Sequence, residues 1–258
     1  MKEGLKNKNR NLLIDFLPRI GYKINISENT WQKIEEIKDF LDKNKEVSFI
    51  GYFNHICYSD PLLAGHIIDK IDPKMSRHII APISYHHMKS KNIGDSTLKM
   101  MQGLANWCDV ETIPVIQAYQ VRNPEKYGYT AEQANITYKK LFNRIGDLRK
   151  NNIATGFIIS PEGTRSQNGV LEDAEKGMIL IGKMLEPVLF IPIGISYNQE
   201  FKRNRLNFGK SLNLEIGETY FYEKGGDKKD INFYMKNLAE ILPENMRGKW
   251  AQMPDVRK

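Results

Sequence analysis

A histidine and an aspartate, five residues apart, stand in Phe53-Asn54-His55-Ile56-Cys57-Tyr58-Ser59-Asp60-Pro61. The segment leaves an apolar run and enters a periodic one, as a strand-to-helix turn does. Asp60-Pro61 reads as a helix start, with Asp60 as N-cap and proline at the first helical position. A turn of this length can also bring the Asp60 carboxylate to one nitrogen of His55, leaving the other free as a general base. The two roles of Asp60 are compatible. A second segment, Ser160-Pro161-Glu162-Gly163-Thr164-Arg165-Ser166, again follows an apolar run. Gly163 permits close backbone approach. Arg165 offers a planar fork for a phosphate, and Thr164 and Ser166 add hydroxyl donors. The same residues would also suit a plain polar turn whose arginine pairs with a surface carboxylate.

The elements that position these segments are short apolar runs alternating with helical stretches from residue 46 onward. The runs are Val47–Phe53, His78–Ile83, Val110–Ile116, Ile153–Ile159, Val188–Ser196 and Leu212–Ile216. Between them lie Leu62/Leu63/Ile67/Ile71, Leu98/Met101/Leu104, Tyr138/Leu141/Ile145/Leu148 and Met178/Ile181/Met184, with a last helix over Asp230–Leu242. This alternation predicts an α/β fold, a largely parallel sheet flanked by helices, with an N-terminal helical extension. Both polar segments then open at the carboxyl ends of strands, where open α/β sheets bind ligands.

Residues 1–45 are expected to be a helical segment ahead of an α/β domain over 46–258. Within residues 1–25, Leu12, Leu13, Phe16, Leu17 and Ile20 recur at helical spacing among Lys2, Lys6, Lys8, Arg10, Arg19 and Lys23. Such a basic amphipathic stretch either lies on an anionic membrane surface or docks on the core. Trp31, Ile34, Ile37, Phe40 and Leu41 form a second stripe.

The 258 residues carry a net charge of +7, which favours anionic partners. The longest clean apolar run, Val188–Ile195, is far short of the ~18 residues of a membrane span, so no bilayer crossing is expected. The basic N-terminus is followed by no apolar stretch suited to a secretory leader. The two cysteines, Cys57 and Cys108, give no disulfide framework and suggest a reducing compartment. They and the five histidines show no zinc spacing, so neither a metal nor another cofactor is expected. Gly94-Asp95-Ser96 resembles the start of an esterase motif, but no histidine follows His87. Gly209-Lys210-Ser211 resembles a P-loop, yet Asn204 stands where its first glycine is required. No nucleic-acid-binding module is recognisable, so nucleic acid is not an expected partner.

Taken together, Asn54-His55 to Asp60 and Pro161 to Ser166 resemble the N-H-x-x-x-x-D and P-E-G-T-R-S blocks of the glycerophospholipid acyltransferases. That family comprises glycerol-3-phosphate and 1-acylglycerol-3-phosphate acyltransferases. Lys176-Gly177, the run Val188–Ile193 and Gly217 resemble its later features, and the likeness spans roughly residues 46–245. Arg122, soon after the run Val110–Ile116, stands nearest to a further family arginine. The resemblance implies transfer of a fatty acyl group from acyl-CoA or acyl carrier protein to the hydroxyl of glycerol 3-phosphate or lysophosphatidate, in phospholipid synthesis. His55 and Asp60 would be catalytic. Glu162, Gly163, Thr164, Arg165, Ser166 and Arg122 would bind substrate. Location would be cytoplasmic, peripheral on the inner membrane face. The rival reading is a non-catalytic lipid-headgroup- or membrane-binding protein on the same scaffold.

Overall fold

A computed structural model describes residues 11–74, 76–86, 103, 105, 109–227 and 229–252. The expected helix around Leu98, Met101 and Leu104 lies outside these residues, as do His87 and Cys108. A π-helical turn, Asn11–Phe16, leads into α1, Leu17–Gly21, then β1, Lys23–Ile26, and α2, Glu28–Lys43. Next come β2, Ser48–Phe53; α3, Asp60–Ile71; β3, His78–Ser84; and β4, Val110–Val115. Two short helices, α4 (Ala118–Val121) and α5 (Pro124–Tyr127), precede α6, Ala131–Lys150. The chain continues through β5, Thr155–Ile159; α7, Gly177–Leu185; β6, Val188–Tyr197; β7, Ser211–Ile216; β8, Tyr220–Tyr222; and α8, Ile231–Glu240. Two 3-10 turns, Glu244–Met246 and Gly248–Gln252, follow.

The strands form one mixed sheet in the order β1-β7-β6-β2-β5-β3-β4, with β8 beside the start of β6. Strands β6, β2, β5, β3 and β4 run parallel, β7 and β8 pair antiparallel with β6, and β1 pairs parallel with β7. β2 is central and buried at all six positions, as a strand covered on both faces must be. Its alternation divides the core. Phe49 and Phe53 join Ile34, Ile67 and Ile193 on the face covered by α2 and α3. Ile50 and Tyr52 join Leu141, Phe157, Met178 and Leu238 on the face covered by α6, α7 and α8.

The expected α/β architecture is present, and the six apolar runs are six of its strands. Two strands escaped the pattern. β8 has three residues, and β1 is a four-residue edge strand with only Ile24 and Ile26 turned inward. The stretch 1–45 is therefore not helical throughout, because Lys23–Ile26 pair in register with Ser211–Leu214. Ile14 is buried in the same core, and its carbonyl lies 2.9 Å from His66 Nδ1 on α3. Phe16 and Ile20, by contrast, are 50% and 64% exposed. Among the described residues no helix is long and apolar enough to cross a membrane.

Candidate active site

β2 and β5 are neighbours in a parallel sheet, so the turns that follow them emerge side by side at one edge. Asn54 fixes the first turn. Its side-chain amide donates to the Ile195 carbonyl at 2.9 Å, and its side-chain oxygen accepts the Ile195 N–H at 2.8 Å. The side chain thus continues the β2–β6 ladder where the backbone has already turned away.

The turn then runs into α3 without an extended N-cap. Ser59 has helical φ −75 and ψ −25, and no side chain caps the helix. Asp60 is the first helical residue and Pro61 the second, which corrects the expected N-cap. The Asp60 carboxylate points back instead of forward. Its Oδ2 accepts the N–H groups of Ile56 at 2.5 Å and Cys57 at 2.6 Å, and lies 3.0 Å from His55 Nδ1. Its Oδ1 accepts the Cys57 thiol at 3.2 Å. An oxygen that takes two backbone N–H groups acts as an acceptor, so His55 carries its proton on Nδ1 when neutral. Nε2 is then the basic nitrogen. The His55 side chain is 20% exposed while that of Asp60 is fully buried. This is the arrangement of a base backed by an orienting carboxylate. Cys57 is not a competing nucleophile: burial, then the Asp60 charge, pushes its thiol up to about 12.

The second turn is tied to the first by its backbone. Glu162 Oε1 accepts the His55 N–H at 2.9 Å and Oε2 accepts the Glu172 N–H at 3.0 Å. The Ser166 N–H donates to the His55 carbonyl at 2.7 Å. Burial, with smaller additions from Glu172 and Asp60, pushes Glu162 up to about 8, against the pull of its two N–H donors. Glu162 is 4% exposed and Ser166 is 1% exposed. Both were expected to bind substrate. In the structure the Glu162 carboxylate and the Ser166 backbone N–H hold the histidine turn, while the Ser166 hydroxyl donates to Asn168 Oδ1 at 3.3 Å. Gly163 has φ +67, a backbone conformation that favours glycine, and a Cβ there would make only an ordinary contact, 3.7 Å from Glu175 Cγ. Conformation, not close approach, explains it.

Thr164 and Arg165 remain half-exposed. The Arg165 guanidinium lies 4.0 Å from the Tyr58 ring centre, so the residue three places after His55 is its platform. Its Nη1 donates to the Arg203 carbonyl at 2.9 Å and to Asn204 Oδ1 at 2.7 Å. Arg122 lies apart from Arg165. It is 64% exposed, and its guanidinium pairs with Glu175, whose own N–H donates to the Pro161 carbonyl. Its charge is compensated beside the site and does not join Arg165.

Sequence reasoning passed over Tyr58, which lies inside the first block but matches no motif position, and Arg203, whose only signal is the basic run Lys202-Arg203-Asn204-Arg205. Among the described residues no group of three His, Cys, Asp or Glu side chains could hold a metal ion. In comparisons with known proteins the chain matches no family model and no curated protein.

The arrangement supplies a partly exposed imidazole with one free nitrogen, an orienting buried carboxylate, and a stacked guanidinium beside them. Chemically, this can take a proton from a hydroxyl while a nearby anionic group is held.

Proposed function

We propose that this chain transfers a fatty acyl group from acyl-CoA or acyl carrier protein to the hydroxyl of a glycerol-phosphate-type acceptor. The observation that carries the reading is the 3.0 Å contact of His55 Nδ1 with the buried Asp60, which leaves Nε2 as the basic nitrogen of a partly exposed side chain. The resemblance of the two blocks to the glycerophospholipid acyltransferases supports it from the sequence side.

In the proposed reaction His55 Nε2 takes the proton of the acceptor hydroxyl as its oxygen attacks the thioester carbonyl. The tetrahedral intermediate collapses, the C–S bond breaks, and the departing thiolate takes the proton back from the imidazolium. Asp60 holds the imidazole in the required tautomer and stabilises its charged form. No acyl-enzyme is needed, because the acceptor is itself the nucleophile. Arg165 supplies the anion contact that orients the acceptor, and orientation is a large part of such a rate enhancement. The chain acts as a peripheral protein on an anionic membrane face, since its lipid product must partition into a bilayer.

An acceptor panel of glycerol 3-phosphate, lysophosphatidate and other lysolipids, assayed with both thioester donors and with products identified by mass, tests the reading. Thioester consumption that depends on a phosphate-bearing acceptor is the expected result. Headgroup binding without any thioester consumption would establish a non-catalytic binding protein instead.

A further inference from the structure

Asp60 accepts on both carboxylate oxygens, and the two sides differ. Oδ2 takes the N–H groups of Ile56 and Cys57 and faces His55 Nδ1, so main chain and imidazole share one atom. Among the described residues Oδ1 has one donor, the Cys57 thiol at 3.2 Å. Cys57 Sγ lies in turn 3.2 Å from the Tyr197 hydroxyl. Tyr197 is the last residue of β6, two places after Ile195, on whose main chain Asn54 locks the histidine turn. The end of β6 therefore meets this turn twice, through its backbone at Ile195 and through a side chain at Tyr197.

The direction of these hydrogen bonds follows from the chemistry. Burial keeps the thiol protonated, and a thiol has a single hydrogen to give. The carboxylate is the stronger acceptor within its reach, so that hydrogen goes to Oδ1. The Tyr197 phenol, held above its ordinary range by burial and then by the Asp60 charge, also keeps its proton and donates it to Sγ. The result is a chain from Tyr197 O–H to Cys57 S–H to Asp60 Oδ1, whose bonds polarise one another in one sense. The terminal torsion of an aspartate is broad. The N–H groups on Oδ2 anchor one oxygen but leave the carboxylate free to pivot about it, and the thiol on Oδ1 removes that freedom. Cys57 and Asp60 are both fully buried, so bulk water supplies no substitute.

We infer that Cys57 and Tyr197 are positioning residues for the base: their chain fixes the plane of the Asp60 carboxylate and, through it, the ring of His55. Both act through Asp60 and not on the substrate. The inference rests on the proposed role of His55 and extends its support from the turn to the end of β6.

The test has two readouts on the full chain. One is steady-state transfer from a thioester donor to glycerol 3-phosphate. The other is the proton NMR resonance of His55 Nδ1–H in the ligand-free protein, assigned by its loss in His55→Ala. Cys57→Ala removes the donor to Oδ1. It should lower kcat about 2- to 10-fold, the share of one neutral hydrogen bond, while KM for donor and acceptor stays the same. The Nδ1–H resonance should move from its wild-type position. Cys57→Ser offers Oδ1 a hydroxyl instead of a thiol and should restore both readings. Tyr197→Phe takes away a single oxygen and should change both in the same direction by a smaller amount, and it decides the question if Cys57→Ala does not fold. Wild-type kcat with an unmoved resonance in these variants would overturn the inference and leave the base assignment standing. A loss spread over KM, or one that serine does not recover, would also overturn it, since either marks a general disturbance of the site. Absence of transfer by the wild-type protein would remove the proposed function, and the resonance alone would then decide whether Cys57 and Tyr197 hold Asp60.

Discussion

Glu162 Oε1 accepts the backbone N–H of His55, so the carboxylate of one motif holds the main chain of the catalytic candidate in the other. The fold raises this carboxyl to about 8 from an ordinary value of 4.5. A raised acid contributes stability that is complete below its unfolded value and is lost as pH climbs through the folded one. Wild-type stability should therefore fall, relative to Glu162→Gln, as pH rises from about 5 to 9. Urea midpoints of the two proteins at pH 5, 7 and 9 check this, and a constant difference between them would reject it.

His55→Ala should lower turnover by ~10²–10⁴, the usual loss of a general base, without loss of fold. Asp60→Asn should fall in the same range, because its amide cannot accept from Nδ1–H and two backbone N–H groups with the same atom pattern. Asp60→Ala should also unfold at lower urea. It strips the acceptor from the buried N–H groups of Ile56 and Cys57, at ~1–3 kcal/mol for each group left unsatisfied. Turnover above a tenth of wild type in His55→Ala would remove the base assignment.

For Arg165, replacement by alanine should reduce acceptor kcat/KM about 10- to 100-fold while donor KM barely changes. Tyr58 provides a graded control. Phenylalanine keeps the ring under the guanidinium, so Tyr58→Phe should retain most acceptor affinity, and Tyr58→Ala should lose part of it. Equal losses towards donor and acceptor would instead make Arg165 structural.

Membrane attachment is best tested through Phe16 and Ile20. Deletion of residues 1–25 would also remove most of β1 and the buried Ile14, and so would disturb the sheet. Phe16→Ser/Ile20→Ser alters only exposed side chains and should leave thermal unfolding unchanged. It should reduce co-sedimentation with anionic liposomes, and wild-type binding should weaken as salt screens the basic residues. Equal wild-type binding to neutral liposomes would refute the attachment.

The sequence displayed the sheet well because its central strands are continuous apolar runs and its helices carry regular stripes. Ile34, Ile37 and Leu41 are all buried as that periodicity requires, whereas Trp31 of the same stripe is 43% exposed. β1 was invisible for a physical reason: an edge strand needs little apolar surface, and its partner lies almost 190 residues away. Within the candidate site, residue type singled out His55, Asp60 and Arg165, and the structure sets His55 against Asp60 and Arg165 over Tyr58. It could not assign Glu162 and Ser166, since a polar residue spent on a neighbouring turn reads like one that faces substrate. Arg203 required the fold itself, because only the return of the β6–β7 connection brings it to Arg165.

β2 has a further consequence during synthesis. Its two sheet neighbours, β5 and β6, begin at Thr155 and Val188, about a hundred residues or more after it ends at Phe53. At typical rates of chain elongation, its six residues spend roughly 5–20 s without either partner strand. An early, unpaired and uncharged strand is a template for association with other chains. The segment that anchors the finished sheet is thus one on which the nascent chain is open to aggregation until Thr155–Ile159 emerge.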